Sequence, residues 1–197
     1  YISQEAVVGI VYAVAAAAMM LVLSKAPDGG EDIKRVFGGV LLLTEWHDVG
    51  LSAVVYAAVG GLLWYFRHPF HLLTWAPEEA EATLAKPALW DFGFYLIFAL
   101  VLTLSIQSAG VLLVFSFLIV PAVMTRLFWE SISTRLIAGS LIAVVAAFLG
   151  LGGAWFGDYP AGASIIVAFG LLLCLAGVVR AWLRTRRTSG SDPAPMS

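Results

Sequence analysis

The chain has 197 residues, 61% of them hydrophobic and 12% charged, with a formal net charge of −2. A soluble domain carries about 25% charged residues, so this composition cannot cover a globular surface and places the chain in a bilayer. The small negative charge gives no reason to expect nucleic acid, and a single cysteine, Cys174, excludes a disulfide framework and a thiolate zinc cluster.

A helix needs about 20 apolar residues to cross a hydrocarbon core of about 30 Å. Ala6–Ser24 is the first charge-free run of that length. Tyr1 is not an initiator Met, and no signal-peptide pattern is present. The sequence is therefore expected to be the C-terminal part of a longer chain. Segment 33–48 follows, with an apolar part too short to span. It is expected to be re-entrant or interfacial, with Trp46 at the interface. A true crossing there would reverse the orientation of the first span.

Val49–Phe66 is the second span, and its Ala53, Ala57 and Gly61 lie four apart on one face. Small residues at that spacing let helix backbones approach closely. The loop 67–89 contains Pro77 followed by Glu78, Glu79 and Glu81. Proline and then acids mark a helix N-terminus, with negative charge at the positive end of the dipole. A short helix there would be a docking element for a soluble partner.

Phe92–Thr125 runs for 34 residues without charge. A helix of that length would measure about 51 Å, too long for one crossing. Two spans, 92–108 and 111–126, are predicted, joined around Ser108-Ala109-Gly110. Ser105, Gln107, Ser108 and Ser116 fall within them. Buried hydroxyls and amides need partners, either on a neighbouring helix or in a polar translocation stripe. Pro121 would kink its helix, as a gate requires, or end it.

Leu136–Gly157 and Tyr159–Val179 are the last two spans. Ala146, Gly150 and Ala154 repeat the small-residue spacing. Pro160 suits the opening turn of the final helix. Residues 188–197 have the composition of a disordered tail. Six spans result. If the loop 67–89 is cytoplasmic, eight basic residues lie inside: Arg67, Lys86, Arg126, Arg135, Arg180, Arg184, Arg186 and Arg187. Three lie outside: Lys25, Lys34 and Arg35. That bias predicts a multi-pass protein of the cell membrane with both ends cytoplasmic.

No enzyme constellation is visible: there is no His-Glu-x-x-His, no P-loop, and no intramembrane base to activate a serine. His68 and His71 read as interfacial polarity beside Arg67. Glu45, His47 and Asp48 are the one outer cluster with metal-ligand chemistry, suited to Zn²⁺, Mn²⁺ or Fe²⁺. Sequence neighbours on one helix do not converge on an ion, so loop polarity is the competing account.

Val36-Phe37-Gly38-Gly39, Pro77-Glu78-Glu79-Ala80, Ala109 to Arg126 and Asp158-Tyr159-Pro160-Ala161-Gly162 stand in that order along the chain, and together they resemble the zinc/manganese/iron ABC-importer permeases. Ala109 to Arg126, with Gly110, an apolar run and Pro121-Ala122, is similar to the family's central motif. Asp158-Tyr159-Pro160-Ala161-Gly162 is similar to the segment before its last helix, and Pro77-Glu78-Glu79-Ala80 to its coupling loop. Val36-Phe37-Gly38-Gly39 looks like its Leu-Phe-Gly-Asp segment, with Gly39 in place of the acid. The coupling loop's usual glycine is absent, and Leu84-Ala85-Lys86-Pro87 stands there instead.

The resemblance implies a permease domain of the type II importer kind over residues 1–187, with 67–89 its cytoplasmic coupling loop. It implies a homodimer docked on ATP-binding subunits and fed with metal by an extracellular solute-binding protein. No covalently bound cofactor is expected; ATP is hydrolysed on the partner. Pro77, Glu78, Glu79, Ala80 and Glu81 would contact that ATPase, and Gln107, Ser108, Gly110, Ser116 and Pro121 would line or gate the pathway. The family's metal-coordinating Asp and His would lie upstream of Tyr1. The alternatives are a siderophore or cobalamin permease, an intramembrane enzyme, and a membrane scaffold without transport.

Overall fold

In the computed structural model the described residues are 4–25, 45–75, 77–83 and 86–188. The Val36–Gly39 resemblance, most of segment 33–48, and the tail beyond Thr188 lie outside them. The described elements are helices throughout: α1 (Gln4–Leu23), α2 (Trp46–Tyr65), α3 (Arg67–Trp75), α4 (Pro77–Thr83), α5 (Pro87–Ala109), α6 (Val111–Phe128), α7 (Ile132–Gly157) and α8 (Ala161–Thr188). Six of them, all but α3 and α4, are long and apolar enough to cross a membrane. An all-α polytopic architecture with six spans is thus what the sequence predicted.

The chain divides into two units, residues 1–41 with 109–197, and residues 42–108. The larger is a four-helix bundle of α1, α6, α7 and α8. Its core holds Ala17, Val120, Ala146 and Phe169, and the Phe169 ring meets Phe117 edge-on at 5.0 Å. Helices approach closely where side chains are smallest. Ala146, Gly150 and Ala154 are the buried residues of α7. Ile165 of α8 packs on Gly150, and Val14 of α1 packs on Gly170. Apolar side chains gain nothing from leaving lipid, so it is this close packing that holds such a bundle together.

Pro121 lies inside α6 and is buried, and the helix continues to Phe128. It does not act as a terminator. Its missing N–H frees the carbonyl of Phe117, a loss tolerated where neighbouring groups and helices compensate. Here Gly139 of α7 leaves room against Pro121, while Thr125 Oγ1 donates at 2.9 Å to the carbonyl of Pro121 itself, one turn beyond the freed group.

The smaller unit contains α2, α3, α4 and α5. The Tyr56 hydroxyl lies 2.9 Å from Ser105 Oγ, and Phe66 faces Trp90. These two pairings make α2 and α5 antiparallel. A groove lined by Tyr56, Val59, Gly60, Leu63, Phe94, Ile97, Phe98 and Val101 runs between them. Neither helix has a buried residue. The expected close packing on Ala53, Ala57 and Gly61 is therefore not found: all three are exposed, and nothing approaches Gly61 within 4 Å. Spacing supplied the flat face, and within the smaller unit no described helix lies against it.

Candidate functional site

The α4 helix begins at Pro77, whose fixed φ suits a first helical position. Glu78 and Glu79 occupy the first turn and are exposed. Two carboxylates there complement the helix dipole and leave charge available to a partner. Ala80 and Glu81 continue the same helix, which packs on α3. Pro69 in its first turn suits the start of α3, and Arg67 lies 5.0 Å from the Trp64 ring centroid.

Gly110 separates α5 from α6 with φ 84° and ψ 152°, a conformation open essentially to glycine alone. The break predicted around residues 108–110 is thus one residue wide. Gln107 and Ser108 are exposed near the end of α5, and Ser108 Oγ donates to the Leu104 carbonyl at 3.1 Å. Ser116 is buried in α6 and donates to Leu112 at 2.8 Å. These two hydroxyls are satisfied within their own helices rather than across to a neighbour.

One end of the larger unit is assembled from three helices. Ala17 and Met20 of α1, Gly110 directly before α6 and Leu113 in its first turn, and Gly162 and Ala163 of α8 line one small cavity of about 70 Å³. The end of α1 thus meets the beginnings of α6 and α8. At the same end Lys25 Nζ sits 4.8 Å from the Tyr159 ring centroid. Asp158, in the left-handed region at φ 51°, closes α7, and Tyr159 N–H donates to Ala154 at 3.0 Å. Pro160 is buried directly before α8, as its sequence position predicted.

Glu45, His47 and Asp48 form the start of α2. The Asp48 carboxylate accepts the Glu45 backbone N–H at 3.1 Å, and His47 Nδ1 stands 3.8 Å from Asp48 Oδ1 with both side chains exposed. Asp48 thus serves to cap a helix. Among the described residues, no three His, Cys, Asp or Glu side chains are gathered to hold a metal.

Two features escaped the sequence reading. The rings of Phe66, Phe70, Trp90 and Phe94 form a cluster joining α2, α3 and α5. Their i, i+4 spacing in two separate segments was the available signal. Ser164 is buried in α8 with no hydrogen-bond partner for Oγ among the described residues, and nothing in its local sequence marked it.

The family model described as ABC 3 transport family matches residues 1–180. The manganese transport system membrane protein MntC of Halalkalibacterium halodurans is 25% identical over 179 residues, covering 89% of this chain and 60% of the relative. The manganese import system permease protein ScaB of Streptococcus gordonii is 23% identical, covering 89% and 63%. The chelated iron transport system membrane protein YfeD of Yersinia pestis is 27% identical, covering 89% and 59%. The chain spans about three fifths of the length of these curated relatives. Among solved structures, PsaBC from Streptococcus pneumoniae in complex with Fab superposes with a TM-score of 0.65 at 21% identity, covering 81% of this chain and 57% of that one.

Proposed function

The chain belongs to the ABC 3 transport family, and from that premise we propose that it is the membrane-spanning permease subunit of an ATP-driven importer of a divalent transition metal, Mn²⁺, Fe²⁺ or Zn²⁺. The observation that carries this reading is the family match over residues 1–180, which contains all six apolar spans apart from the last residues of α8. Several of the relatives it resembles are named for manganese or iron transport.

Residues 1–187 serve as the membrane domain and 67–89 as its cytoplasmic coupling loop. Pro77, Glu78, Glu79, Ala80 and Glu81 meet the ATP-binding partner, where ATP is hydrolysed. The exposure of Glu78 and Glu79 supports that role. Two permeases pair, and an extracellular solute-binding protein delivers the metal as cargo. Closure of the ATP-binding subunits displaces α4 and alternates access to the pathway. Gln107, Ser108, Gly110, Ser116 and Pro121 lie along or gate that pathway. A glycine-only break and a mid-helix proline are suitable points for an α6 that changes shape.

The chain terminus after α8 is cytoplasmic in this reading. The Lys/Arg bias supports it; the gathering of the end of α1 with the starts of α6 and α8 puts those three ends on one side of the bundle, as an alternating path of the chain requires, without choosing which side.

Labelled-metal uptake into proteoliposomes holding the complete permease, its ATP-binding subunit and its solute-binding protein tests the proposal. ATP-dependent accumulation of one of the three metals is expected, and its identity names the cargo. Accumulation of cobalamin or a ferric siderophore instead, or of nothing, rejects it.

A further inference from the structure

Three elements of the smaller unit meet through aromatic rings. Phe66, at the turn between α2 and α3, faces Trp90 of α5 with 5.2 Å between centroids. Phe70, one turn further on in α3, lies edge-on to Trp90 at 6.0 Å and tilted against Phe94 at 5.6 Å. Phe94 extends the row to Phe98, stacked at 6.4 Å. Phe70 therefore touches two successive turns of α5.

The backbone helix is interrupted at the same place, although the Phe66 N–H still reaches the Leu62 carbonyl at 3.0 Å. Phe66 leaves helical geometry at φ −93° and ψ 19°, and the Phe70 N–H reaches the Phe66 carbonyl only at 3.5 Å. A hydrogen bond of that length contributes little. Without the rings, a push on α3 would be absorbed by bending at Phe66. Edge-to-face and tilted ring pairs have preferred geometries, whereas an aliphatic side chain slides over its neighbours.

We infer that Phe70 is a positioning residue whose ring, held by Trp90 and Phe94, makes α3 move with α5. A displacement received by α4 then reaches a membrane span instead of being lost at the Phe66 turn. This rests on the proposed function, in which α4 receives the ATP-binding partner. Phe70 itself meets neither ATP nor metal.

The test uses the complete permease with both partners in proteoliposomes, comparing wild type, Phe70→Leu and Phe70→Tyr. Leucine keeps apolar bulk without the ring, and tyrosine keeps the ring. Two quantities are read: metal transported per ATP hydrolysed, and amide hydrogen exchange across residues 67–75. Phe70→Leu is expected to hydrolyse ATP but to lower transport per ATP by about fivefold or more, the size of a modest coupling between sites. Exchange in 67–75 speeds up while α7 and α8 stay protected, and Phe70→Tyr restores both readings. Unchanged transport per ATP in Phe70→Leu, unchanged exchange, or failure of Phe70→Tyr to restore them overturns this inference alone. Wild-type vesicles that hydrolyse ATP and move no metal overturn the proposed function and this inference with it.

Discussion

Ile165 closes on Gly150 so tightly that its backbone nitrogen and Cγ1 lie 2.7 Å from the place a Cβ on Gly150 would occupy. The contact is between backbones, and neither helix can yield without separating from the other. Gly150→Ala should destabilise the bundle by about 1–3 kcal/mol, as overpacking does. Gly152→Ala, in the same helix with nothing within 4 Å, should stay within about 0.5 kcal/mol of wild type. Unfolding of the two variants in detergent, followed by circular dichroism, separates these outcomes.

Gly110 holds the one positive-φ glycine conformation among the described residues. Gly110→Ala forces a Cβ into that geometry and should cost about 1–3 kcal/mol. Gly93→Ala in α5 meets open space and serves as the comparison. A drop in unfolding midpoint for Gly110→Ala no larger than that for Gly93→Ala would remove the strain argument.

Pro121→Ala returns an N–H to α6 opposite the free Phe117 carbonyl. The variant should be at least as stable as wild type in detergent unfolding. Its uptake in proteoliposomes should fall, because α6 loses the point where it deforms. Full uptake together with higher stability would show that Pro121 has no part in gating.

Replacing Glu78 and Glu79 by Lys puts positive charge at the positive end of α4, unfavourable by about 0.3–1 kcal/mol for each charge. The spans are untouched, so the unfolding midpoint of the bundle should not move. ATP-dependent uptake should fall to background, and co-purification of the ATP-binding subunit should weaken. Retention of both would remove α4 from the docking surface.

Span number was readable from run length alone, and so was the break at Gly110, because 34 uncharged residues exceed one crossing. Helix ends were less readable. The apolar run of α8 stops at Val179, yet the helix carries on past Arg180 to Thr188. Hydropathy reports where lipid ends, and helical hydrogen bonding continues into water. Ala53-Ala57-Gly61 and Ala146-Gly150-Ala154 have identical spacing, but only the second set is buried. A pattern on one helix says which face is smooth and nothing of whether a neighbour lies there. Asp48 illustrates the same gap at the level of chemistry. Its carboxylate had the composition of a metal ligand, and its position at the third residue of α2 made it a cap. The ring cluster went unread because its members come from two segments some twenty residues apart in sequence, and only the antiparallel pairing of α2 and α5 brings them together.

That pairing is sparse. The ring cluster grips α2 and α5 at one end, and the hydroxyls of Tyr56 and Ser105 join them about 15 Å along the axis from Phe66. Between the two grips runs an apolar groove. The unit is thus laced at its two ends rather than zipped along its length, and any relative movement of α2 and α5 has to be accommodated by the rings at one end and by the hydroxyl pair at the other.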